Sequence, residues 1–153
     1  DPFYSEMANY NVDIIANSQY IVAGTGEKKT TNLENNLTKT SFKANLVRDF
    51  AMVISNKFEV LSKTNENTKV EYYYFNDQNA ETNLNTGIDA IKTFSKLFGG
   101  YPYSTFSIVK TDFVHGGMEY ANVVMLSSSI ENEDDYKNKY NQGFYEKLIV
   151  IIC

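Results

Sequence analysis

YPYSTFSIVKTDFVHGGMEYANVVML, residues Tyr101 to Leu126, holds two runs dense in β-branched and aromatic side chains, Ser104–Thr111 and Ala121–Leu126. Such residues fit a pleated, half-buried surface, so both runs read as strands. Between them stand Gly116, Gly117, Met118, Glu119 and Tyr120. Two adjacent glycines beside a strand remove two β-carbons, so another backbone can approach and pair with the N–H and C=O groups left bare. Glu119, two residues past Gly117, then marks where a peptide laid along that edge begins or ends. A carboxylate there suits a free α-ammonium group, because a charge at a partly dry site needs an opposite charge or donors to meet it.

Upstream of this stretch lies one strongly periodic helix. Leu84, Ile88, Ile91, Phe94 and Phe98 follow at steps of four, three, three and four, which puts all five on one face and predicts a helix over Ala80–Phe98. Gly99-Gly100 supplies the stop. Gly87 inside the helix costs about 1 kcal/mol relative to Ala, so close packing against a neighbour is expected there. Asn76–Asn79 reads as a turn with Asp77 or Asn79 as side-chain acceptor. Ahead of it, Val70–Phe75 (VEYYYF) predicts a strand with Tyr72 and Tyr74 on one side and Glu71, Tyr73 and Phe75 on the other.

The first part of the chain reads as a β meander. Tyr10, Val12 and Ile14 alternate with their neighbours, Gln19–Ala23 continues after an Asn17-Ser18 turn, and Gly24-Thr25-Gly26 closes a hairpin into the polar Glu27–Lys39. Thr38–Leu46 places Phe42, Ala44 and Leu46 on one face, and Asp49–Ser55 reads as a sandwich core strand. Lys57–Asn67, with a loop at Ser62–Lys69, reads as a crossing between two bodies.

With these elements in place, Phe98-Gly99-Gly100-Tyr101-Pro102-Tyr103 followed by Gly116-Gly117-Met118-Glu119-Tyr120 resembles the zinc aminopeptidases of the gluzincin type, relatives of alanyl aminopeptidase and leukotriene-A4 hydrolase. Those enzymes carry an F-G-x-Y-P-Y segment ahead of a G-[AG]-M-E-N exopeptidase motif. This chain differs in having Tyr120 for the usual Asn and Ala121 where many relatives have Pro. The resemblance implies an α+β chain: residues 1–60 are the end of a β-sandwich-like N-terminal domain, and residues 61–153 the first strands and helix of a thermolysin-like catalytic domain. It implies a peptide substrate with a free N-terminus, held at Gly116, Gly117, Met118, Glu119 and Tyr120, with Tyr103 beside the pocket. It also implies a zinc cofactor in the full-length parent, on an H-E-x-x-H helix that follows Cys153. This piece alone then carries no catalytic residue and is inactive. The rival class is a non-enzymatic β-rich module whose tyrosines recognise peptide or glycan.

Composition narrows the field further. The net charge is −5 and the densest basic run is the pair Lys28-Lys29, so the clustered footprint that nucleic-acid binding requires is missing. No apolar run reaches the ~18 residues of a membrane span, so no membrane contact is expected from this segment. A catalytic zinc centre takes three protein ligands from His and carboxylates, and the one His and one Cys, His115 and Cys153, have no H-E-x-x-H to join, so no metal is expected on this segment. The lone Cys also excludes an internal disulfide. The acidic, amide-rich Glu131–Asn141 lacks the alternating ligands and turn glycine of a calcium loop and reads as solvated. Phe144–Cys153 fits a buried strand or a buried helix, and the resemblance favours the latter.

Overall fold

A computed structural model of the chain describes residues 4–112 and 116–128. His115, Glu131–Asn141 and Phe144–Cys153 lie outside the described residues. The described chain is strand-rich with one helix, an α+β arrangement. Strands β1 (Ala8–Asn17), β4 (Leu37–Val47) and β3 (Glu27–Asn32) form one antiparallel sheet in the order β1-β4-β3, and β2 (Ile21–Gly24) pairs with β5 (Met52–Ser55) in a second. A five-stranded sheet follows, from β6 (Glu59–Asn65), β7 (Thr68–Tyr74), β8 (Thr105–Thr111), β9 (Gly117–Tyr120) and β10 (Val123–Ser127), in the order β6-β7-β8-β10-β9. Helix α1 (Ala80–Phe98) connects the parallel neighbours β7 and β8, as a crossover between parallel strands requires.

The period-2 alternation of the strands sorts the core into two layers. Val70, Tyr72 and Tyr74 of β7, Phe106 and Ile108 of β8, and Val124 and Leu126 of β10 meet Leu84, Ile88 and Ile91 of α1. Tyr73, Val109 and Val123 face the other way and pack on Ala23 and Phe58, with Ile21, Val53, Phe75 and Tyr120 at the margin. The two-sided expectation for VEYYYF is met. The helix is also met at both ends, with Gly99 at φ 106° closing it through a bond from its N–H to the Ser95 carbonyl. Asp77, rather than Asn79, is the acceptor before the helix: it takes bonds from the Asn79 N–H, the Tyr72 hydroxyl and the Asn83 amide. Among the described residues no helix is long and apolar enough to cross a membrane.

Gly87 packs as expected. A β-carbon there would lie 2.2 Å from Cδ1 of Ile108, a side chain with no exposure. Gly87→Ala gains helix propensity of about 1 kcal/mol but overpacks a site where the end of the fully buried Ile108 side chain has to move, at about 1–3 kcal/mol. A net loss of stability is therefore expected in denaturant unfolding. Ile108→Val removes the offending methyl, so the double variant should lose less than the sum of the two single losses; strict additivity would show that the contact is not responsible.

Several sequence expectations are corrected. Gly24-Thr25-Gly26 does not close a hairpin: β2 pairs with β5 (Ile21 opposite Ser55), while β3 pairs with β4 (Lys28 opposite Phe42). The buried Thr25 makes the switch possible, exchanging bonds with the Ala51 carbonyl and N–H. Leu46 does not share the face of Phe42 and Ala44. A register shift between β1 and β4 and a φ of 52° turn it outward to 65% exposure, and Val47 is buried in its place. The sandwich core strand proves to be the four-residue β5, with Met52 and Ile54 exposed. Ser62–Lys69 is no loop but most of the β6–β7 hairpin, turning at Glu66-Asn67. The apolar stripe of α1 outruns the sheet, leaving Leu97 and Phe98 exposed.

Candidate functional site

The motif GGMEY forms the last strand of the five-stranded sheet. After β8 the chain passes over the slot next to it, comes back as β9 at the edge, turns through Ala121-Asn122, and fills the slot as β10. No described strand pairs with the outer side of β9. The Gly116 carbonyl accepts from the Ser127 N–H at 3.2 Å. Antiparallel pairing uses alternate residues, so Gly116, Met118 and Tyr120 turn their main-chain groups toward β10. Gly117 and Glu119 turn theirs to the open side.

The side chains follow the same alternation. Met118 and Tyr120 stand opposite Met125 and Val123, and Tyr120 is half-buried at the edge of the lower core layer. Gly117 and Glu119 stand opposite Leu126 and Val124, on the face that carries α1. Glu119 is exposed, and among the described residues no cation or donor pairs with its carboxylate. A β-carbon on Gly116 would meet nothing within 4 Å. Gly116, Gly117, Met118, Glu119 and Tyr120 thus share one margin of the sheet, with one acid on it and no described strand outside it. Tyr103 sits elsewhere: its ring packs on Tyr101 and its carbonyl accepts from Thr68 Oγ1, between β7 and β8, two strands away from β9.

Asn122 holds this edge in place and is absent from the sequence expectations. It is 4% exposed with φ 53°, a left-handed conformation that Asn tolerates better than most residues. Its Oδ1 accepts from the Gly26 N–H at 3.0 Å, and its Nδ2 donates to Thr105 Oγ1 at 2.7 Å and to the Thr105 carbonyl at 3.3 Å. Its own carbonyl accepts from the Ser107 N–H at 2.9 Å. The visible signal was a two-residue connection ending in Asn between two apolar runs.

Beneath the sheet, a buried charge cluster joins β3 to β7. Glu71, 6% exposed, accepts from the Tyr73 hydroxyl at 2.6 Å and Lys69 Nζ at 2.7 Å, with Lys28 Nζ at 3.4 Å. Lys28 also donates to the Tyr73 oxygen and lies 4.8 Å from that ring's centroid. Burial alone would raise the Glu71 pKa, but the bonds from Lys69 and Tyr73 and the charge of Lys28 win and hold it below the ordinary 4.5. Burial and the Glu71 charge push the Tyr73 phenol up, so it remains a donor. Burial pulls Lys28 below its ordinary value, against the attraction of Glu71.

The sequence matches no protein-family model and no curated protein sequence. The geometry therefore has to carry any functional reading. Among the described residues no three His, Cys, Asp or Glu side chains gather to hold a metal ion. The tyrosines of β7 are 9% exposed or less, spent on packing rather than offered as a recognition surface.

Proposed function

We propose that this chain is the substrate-recognition part of a zinc-dependent aminopeptidase, its five-stranded sheet and α1 opening a thermolysin-like catalytic domain. The observation that carries the proposal is β9: among the described residues it is an edge strand, with main-chain groups of Gly117 and Glu119 facing outward and a carboxylate that no described residue pairs. A peptide adding alongside pairs with those groups, as extended peptides do at exposed sheet edges. The Glu119 carboxylate takes the α-ammonium in a charge-assisted bond, which counts residues from the amino terminus. The absent β-carbon of Gly116 leaves room for the incoming backbone.

Zinc, when bound by such an enzyme, polarises the scissile carbonyl and its bound water. The work this reading gives to the described residues is to bind and orient. Orientation is a large share, because holding a substrate in near-attack geometry removes several kcal/mol of barrier. The test is peptide hydrolysis by the full-length protein that contains this chain. Release of single residues from free amino termini, abolished by a chelator and restored by zinc, is the expected result. Peptide binding without cleavage at any metal loading would instead favour a recognition module.

A further inference from the structure

We infer that Asn122 is a positioning residue for the peptide's amino terminus, fixing where along the sheet edge Glu119 and the outward amides stand. The inference rests on the reading of β9 as the peptide-binding edge. Its ground is the completeness of the Asn122 network. A buried Asn side chain offers one carbonyl acceptor and two amide donors. Here the acceptor is taken by Gly26, and the donors go to the two oxygens of Thr105.

Asn122 and these two partners come from three separate places in the chain. Gly26 is the joint between β2 and β3, where φ is 99° and a β-carbon would fall 2.4 Å from the Lys43 carbonyl oxygen. Thr105 opens β8, and its Oγ1 also donates to the Gly26 carbonyl at 3.1 Å. Asn122, three residues after Glu119, closes the turn between β9 and β10. The loop Gly26–Thr105–Asn122 therefore locks the free end of the β9–β10 hairpin to the N-terminal sheets and to the central strand at once. Among the described residues the four-residue β9 pairs with β10 alone, and the position of such a strand depends on its turn more than that of an inner strand does. If Asn122 releases, Glu119 shifts along the edge, and a displacement of about 1 Å in a positioned group is worth on the order of 10²-fold in rate.

Asn122→Gly separates this role from simple backbone accommodation, since Gly accepts the positive φ and deletes only the side-chain bonds. The measurement is kcat/KM in the full-length protein for one peptide with a free and with an acetylated amino terminus. Asn122→Gly should reduce the preference for the free terminus by about tenfold or more. Gly87→Ala, which loses stability where α1 packs on Ile108 of β8, should leave that preference unchanged. Because Asn122 acts through Glu119, adding Asn122→Gly to Glu119→Gln should lower the preference no further. A preserved preference in Asn122→Gly, or losses that multiply in the double variant, would overturn the positioning role. A wild-type protein that does not distinguish the two termini would overturn the reading of β9 beneath it, and the inference with it.

Discussion

Glu71→Ala should cost about 3–5 kcal/mol of folding stability, the usual result of removing one partner from a buried charge pair. The size follows from what is left behind. Lys28, with its side chain 22% exposed, loses its carboxylate, and the Tyr73 hydroxyl loses its acceptor inside the lower core layer. Lys69, half exposed, can return to water and adds little. Against a total stability of roughly 5–15 kcal/mol, such a loss leaves the protein near its unfolding threshold. Replacing Lys28 and Glu71 together by apolar residues of similar volume, with Tyr73→Phe, should recover most of it, because neither an orphaned charge nor an orphaned hydroxyl remains.

The pH dependence has a definite sign. A carboxylate whose folded pKa is depressed contributes stability above its unfolded value, and that contribution is lost as pH falls through the folded pKa. The gap between wild type and Glu71→Ala should therefore be widest at neutral pH and narrow below about 4.5, the ordinary value from which Glu71 is lowered. Denaturant melts across pH 3–7 read this directly. A gap that is constant with pH would show that the loss comes from packing rather than from charge.

Glu119→Ala should leave folding almost untouched, since the side chain is exposed and has no partner among the described residues. Its effect belongs to substrate. Truncating one partner of a desolvated, hydrogen-bonded charge pair removes roughly 30- to 1000-fold in affinity for the other. The loss in kcat/KM should fall on peptides with free amino termini and spare acetylated ones. Equal losses on both would mean that Glu119 shapes the edge rather than binding the ammonium.

How much of this was legible depended on whether the controlling contacts are local. Helix α1 was readable to the residue because its period and its Gly99 stop are properties of adjacent positions. The two faces of β7 followed from simple alternation. The pairing of β2 with β5 did not, since it rests on the Thr25–Ala51 bonds across 26 residues. Leu46 misled for a similar reason: the bulge that turns it outward is held by the Asn9 Oδ1 bond to its N–H, from the neighbouring strand. Phe98 fits the helical stripe, yet at the last residue of α1 it is exposed. At the candidate site the motif residues are contiguous, so their shared place along β9 needs no distant contact. Asn122 was not legible, because its role appears only once Gly26 and Thr105 are brought beside it.

The central claim is that the outer side of β9 receives the first residue of another polypeptide. Hydrogen exchange at the Gly117 and Glu119 amides, with and without a short peptide, tests it most directly. The account predicts that both amides exchange fast alone, slow when a peptide with a free amino terminus is added, and respond weakly to its acetylated form. Amides that are already protected without peptide, or that stay fast at saturating peptide, would contradict it.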